Sequence, residues 1–82
     1  MAKVVVPGQT STEVYAGGAG GVIIANGGSS ILNLNTADPS TAGGAIELAS
    51  GDAVVFDAGS AWAAATWFGW SEVGTTAVTT VV

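Results

Sequence analysis

The sequence predicts an all-β fold, a small antiparallel β-sandwich or barrel of short strands with Gly-rich turns. Three observations point that way. Helix formers are scarce (three Leu, one Met, one Gln, one Lys and no Arg) beside 11 Val and 9 Thr, and β-branched side chains suit a pleated, half-buried surface. Turn signals recur about every 8–12 residues, the spacing of small sandwiches and barrels. Several segments also alternate between apolar and polar residues, as strands with one buried face do.

Val4, Val5 and Val6 form a first strand or an extended arm, closed by Pro7-Gly8. Residues 12–16 are a second candidate, and the Gly-rich 17–21 is a flexible break. Val22-Ile23-Ile24 follows, stopped by Asn26-Gly27-Gly28. Asn-Gly is a strong hairpin signal, since both residues accept positive φ, so residues 30–35 are expected to return as a hairpin strand with Leu32 and Leu34 inward. Residues 36–44 are a loop, because Asp38-Pro39 forces extended or turn backbone and Gly43-Gly44 closes it. Residues 45–49 place Ile46 and Leu48 on one face and Glu47 on the other. The strand at 52–57 turns Val54 and Phe56 inward, and Asp52 and Asp57, five apart, fall on opposite faces. Residues 61–70 are expected as an aromatic strand; Trp62, Thr66 and Trp70 also fit helical spacing, but Gly59, Gly69 and the β-branched and aromatic content favour strand. Alternation would then put Trp62, Phe68 and Trp70 on one face and Trp67 on the other. Gly74 precedes a last strand at 76–82.

An 82-residue chain is one small domain; residues 1–10 form an N-terminal arm or first strand and residues 11–82 a single β domain. Lys3 against Glu13, Asp38, Glu47, Asp52, Asp57 and Glu72 gives a net charge of −5, and His, Arg and Cys are absent. That inventory leaves no Cys/His zinc site, no Ser-His-Asp or Cys-His nucleophile and no arginine clamp for phosphate. No enzyme activity, cofactor or metal is expected. One lysine cannot neutralise a row of phosphates, so nucleic acid is not an expected partner. The longest uncharged run, residues 14–37, holds six Gly and three Asn and lacks the apolar surface of a membrane span. The N-terminus is too short in apolar residues for a signal-peptide core, and a soluble chain made in a cytoplasm is expected. With 49% hydrophobic and 9% charged residues, a domain this small must carry apolar side chains outside its core; oligomerisation or docking on a larger partner would hide them.

The candidate sites are few. The 17–21 glycines lack the Lys-Ser/Thr pair of a phosphate loop. The carboxylates read as turn residues or solvated strand faces, and the paired threonines at 75–76 and 79–80 as exposed strand positions. Trp62, Trp67, Phe68 and Trp70 either fill the core or anchor an interface, where Trp is enriched. A sugar-stacking platform lacks polar partners clustered with the rings in sequence.

Taken in order, Val22-Ile23-Ile24-Ala25-Asn26-Gly27-Gly28 with Ile31 to Leu34, then the run from Gly44 to Phe56, then Ala61-Trp62-Ala63 and a Thr/Val terminal strand resemble the small virion proteins of tailed bacteriophages. The resemblance covers residues 14–82 and rests on turn-and-strand patterns. It implies a compact β-sandwich or barrel that sits on the capsid exterior as a decoration (cement) or minor capsid protein, assembled in the host bacterial cytoplasm. The implied partners are the major capsid protein and further copies of the chain, a homo-oligomer with a trimer preferred. Val4, Val5 and Val6 in the arm and Trp62, Trp67, Phe68 and Trp70 are the expected interface residues. The alternative is a phage tail, tail-tip or host-recognition protein, with glycan as a ligand.

Overall fold

The computed structural model describes residues 2–82. They form eight strands and two single-turn helices: β1 (Ala2–Val6), β2 (Thr12–Tyr15), β3 (Val22–Asn26), β4 (Leu32–Asn35), α1 (Pro39–Ala42), β5 (Ile46–Leu48), β6 (Ala53–Phe56), α2 (Ala61–Ala64), β7 (Trp67–Trp70) and β8 (Thr76–Val81). The pairing is nested: β4 pairs with β5, β3 with β6, β2 with β7 and β1 with β8, all antiparallel. Two further pairings, β3 with β8 and β4 with β7, complete two four-stranded sheets in the orders β1-β8-β3-β6 and β2-β7-β4-β5. A long hairpin folded over so that its successive pairs alternate between two stacked sheets has jelly-roll topology. The fold is therefore a sandwich and not a barrel.

Period-2 alternation decides which side chains enter the space between the sheets. Val6, Val22, Ile24, Phe56 and Val78 come from the first sheet, and Val14, Leu32, Leu34, Leu48 and Trp67 from the second; all are buried. Gly69 leaves a notch among them, since a Cβ there would stand 3.0 Å from both Leu32 Cδ1 and Val14 Cγ1 and 3.2 Å from Val6 Cγ2.

Four local expectations need correction. Asn26-Gly27 does not close a hairpin: β3 pairs with β6 and β8, and the chain after Asn26 crosses to the other sheet to begin β4. Asn26 is buried, and its side chain does the work expected of a turn in a different way. Its amide nitrogen donates to Ser30 O at 2.7 Å and Leu48 O at 2.9 Å, while its oxygen accepts from Gly28 N and from the Thr76 hydroxyl.

The aromatic segment is not one strand. Ser60 caps α2 by accepting from Ala63 N, the helix lasts a single turn, and the strand starts only at Trp67. Within β7 alternation holds, with Trp67 and Gly69 inward and Phe68 and Trp70 outward, but Trp62 belongs to a different element.

The 36–44 loop contains α1, with Asp38 as N-cap and Pro39 at the first helical position, where a missing N–H costs nothing. Finally, Thr76 and Thr80 are buried. Their hydroxyls donate to Asn26 Oδ1 and to Val14 O respectively, which removes the penalty of an unpaired buried polar group. Thr80 so ties β8 of one sheet to β2 of the other.

Candidate functional site

The two outer faces of the sandwich differ in chemistry. On the β1-β8-β3-β6 sheet the register aligns outward residues in rows across the strands. Val81, Ile23 and Val55 form one row, and Thr79, Ala25 and Ala53 the next, with Lys3 beside Thr79 on β1. Val5 and Ala77 begin a third. Val5 and Val55 are 61% and 63% exposed, Ile23 and Val81 39% and 38%. Seven of these nine residues are apolar and Lys3 alone is charged, so this sheet shows water a nearly neutral hydrocarbon surface.

The outer face of the β2-β7-β4-β5 sheet is aromatic, polar and acidic. Glu13, Phe68 and Asn35 form one cross-strand row and Trp70, Asn33 and Glu47 the next. Asn35 Nδ2 donates to Gly43 O at 2.8 Å, and a Cβ on Gly44 would meet Asn33 Oδ1 at 2.8 Å. The loop carrying α1 is thus folded down onto this face, over β4 and β7. At its start the Asp38 carboxylate accepts from the Ser40 hydroxyl at 2.6 Å and the Ser40 N–H at 2.9 Å. Those two bonds, with a further one from the Ser11 side chain, hold its pKa below the ordinary aspartate range.

Beside Asn33 and Glu47 lies a groove of about 510 Å³, completed by Ser29, Ser30, Ile31, Glu72 and Val73. The Ser30 hydroxyl donates to Val73 O and so ties the β3–β4 and β7–β8 connections that form its walls. No group of three or more metal-ligating side chains exists among the described residues, and no helix among them is long and apolar enough to cross a membrane.

The seven interface candidates fall in four places. Val6 and Trp67 are wholly buried in the core, where no partner can reach them, and Val4 is half-buried against it. Val5 stands on the apolar face, and Phe68 and Trp70 are half-buried on the acidic face. Trp62 is 57% exposed at the border of the core. It stacks on Trp67 with ring centres 5.7 Å apart, and Trp67 stacks on Phe56 at 4.8 Å; the buried indole N–H donates to Trp62 O at 2.8 Å. Missing from the sequence reading were Ile23, Val55 and Val81, whose union in one row depends on strand partners far apart in the chain. Also missed was the meeting of Trp70 with Asn33 and Glu47, the polar neighbours that the rings lack in sequence.

No family model, curated protein or solved structure matches the chain at a significant level.

Proposed function

We propose that this chain is a non-enzymatic structural protein of a tailed-bacteriophage particle, which decorates the capsid exterior by binding the lattice of the major capsid protein. The observation that carries the reading is the segregation of charge. Glu13 and Glu47 sit on the outer face of one sheet, Asp38, Asp52, Asp57 and Glu72 lie in connections, and the outward rows of the other sheet carry no acid at all. A slab with one apolar side and one acidic, aromatic side suits a protein that works by contact. The acidic side complements basic patches on a shell, and its charge repels packaged nucleic acid. Trp70 and Phe68 supply the large, partly desolvated anchors such contacts favour.

Copy number tests the reading: quantitative mass spectrometry of purified particles should find this chain in hundreds of copies, in simple proportion to the major shell protein. A handful of copies would place it in the tail or tip, and absence from the particle would remove the virion reading. In a binding assay on undecorated shells, Trp70→Ala and the pair Glu13→Gln with Glu47→Gln should each weaken attachment, the charge variant most at low salt.

One observation favours a second reading, a tail or host-recognition protein that binds glycan: Trp70, Asn33 and Glu47 share a row at the edge of the 29–33 groove, and sugars are held by ring stacking and polar side chains together. A tryptophan-fluorescence titration with host wall saccharides separates the two, since saturable quenching lost in Trp70→Ala would support the glycan reading.

A further inference from the structure

We propose that the outer face of the β1-β8-β3-β6 sheet is a self-association surface, and that it pairs with the same face of a second copy across a two-fold axis. This inference stands apart from the lattice reading, which uses the opposite sheet.

The face is built as a ridge beside a trough. Val81, Ile23 and Val55 make the ridge, spanning β8, β3 and β6; in the row two residues along, Ala25 and Ala53 make the trough on β3 and β6, and Thr79, as large as Val81, closes it on β8. The two rows have the same width and run parallel. A two-fold axis lying in the face, across the strands and between the rows, turns a second copy over so that its ridge lies along this trough. Ile23 of each copy then covers Ala25 of the other, Val55 covers Ala53 and Val81 covers Thr79. Such a contact is isologous, with every interaction made twice; Ile23 and Val55 enter the spaces left by Ala25 and Ala53, as close packing requires, while Val81 meets Thr79, a residue of its own size.

Charge and size agree with this occupant. No acid stands in the outward rows, so two copies of a chain with net charge −5 meet here without opposing carboxylates. Lys3, on the edge strand, can lay its stem on the surface and keep its ammonium in water. The molecule measures 33 × 24 × 16 Å, and its thin dimension is that of two sheets stacked about 10 Å apart. The broad side as a whole is therefore of the order of the 800 Å² that each partner gives to a standard-size interface, and the two rows, only part of it, make a smaller contact and a weak dimer.

Sedimentation of the whole chain between about 1 and 100 μM tests the pairing, with dimers of twice 7.9 kDa expected. Ala25→Ile sets ridge against ridge, and Ile23→Ala removes the central knob. Each should weaken dimerisation by about ten-fold or more. The double variant Ile23→Ala with Ala25→Ile exchanges ridge and trough at the centre, so it should recover affinity to within about three-fold of the parent. Near-UV circular dichroism confirms that each variant keeps its fold. Should Ala25→Ile fail to fold, Ala53→Glu on the exposed edge strand replaces it, and should abolish the dimer by placing a carboxylate in the trough. A monomer at 100 μM, a trimer, or folded variants that dimerise like the parent would overturn the proposal, as would a double variant no better than the singles.

Discussion

Asn26 Oδ1 accepts the Thr76 hydroxyl at 2.6 Å, a buried bond between residues fifty apart in the chain. The same amide donates to Leu48 O in the opposite sheet. One side chain so joins β3, β5 and β8, and it satisfies each group it touches.

Asn26→Ala should cost at least about 3 kcal/mol, because it leaves Leu48 O, Ser30 O, Gly28 N and the Thr76 hydroxyl without their partner, and each unsatisfied buried group costs about 1–3 kcal/mol. Thr76→Val, which removes one donor and keeps the shape, should cost about 1–2 kcal/mol. Urea unfolding read as a midpoint shift at constant m-value measures both. A Thr76 variant as damaging as the Asn26 variant would show that the amide is not the hub.

Substitutions at Gly28 and Gly20 should divide by space and not by backbone angle. A Cβ on Gly28 would stand 2.6 Å from Ala77 N and still closer to the Thr76 hydroxyl, whereas one on Gly20 meets nothing within 4 Å. Neither glycine has positive φ. Gly28→Ala is expected to cost about 2 kcal/mol or more, through strain imposed on β8. Gly20→Ala should be neutral or stabilising by up to about 1 kcal/mol, since it restricts the unfolded chain. Thermal melts of the pair compare the two directly.

The tryptophans should separate in the same kind of measurement. Trp67→Ala empties the centre of the core and should cost about 3–5 kcal/mol, enough to threaten a domain this small. Trp62→Ala removes an exposed ring and should cost about 1 kcal/mol or less, while it uncovers one face of Trp67 and shifts the remaining emission to the red. Equal costs would refute the placement of the two rings.

Acid should loosen the α1 loop before it affects the sheets. Donation from Ser40 and Ser11 stabilises the ionised Asp38 carboxyl, so its folded pKa lies below that of the unfolded chain. The stabilisation is therefore complete above the unfolded value of about 3.9 and is lost as pH falls through the folded one. The Ser40 amide resonance should titrate below the ordinary aspartate range, and in Asp38→Ala that titration should vanish with the β3 and β8 resonances unmoved.

Much of this fold is legible in local pattern. The i, i+2 spacing of Leu32 and Leu34, and of Val54 and Phe56, states which side faces inward, and a single alternation fixes β4 and β6. The same rule applied to Val78 brings Thr76 and Thr80 inside, where their hydroxyls need partners; that signal was present but was outweighed by the habit of threonine to be exposed. At residues 61–70 local pattern gives way. A four-residue helix has too few turns to show a period, and its only mark is Ser60, three residues ahead of the N–H it caps. At Asn26-Gly27 the residues suit a tight turn, yet the amide finds better use among the buried carbonyls of Leu48 and Ser30. The candidate faces were hidden for another reason. Val81, Ile23 and Val55 become neighbours only through pairings between β8, β3 and β6, and no window of sequence contains all three.

Nested pairing also prescribes an order of events when the chain folds. Only β4 and β5 are near in sequence; each surrounding pair encloses the one before, and its loop-closure entropy falls once the inner pair has formed. Assembly should then proceed outward, with milliseconds to seconds needed for so many long-range contacts, and β1 should reach β8 last. Val81 and Thr79 ride on β8, and the paired rows are unfinished until that strand closes against β3. Copies caught partway through folding therefore offer an incomplete surface, and the late docking of β8 becomes a checkpoint for pairing.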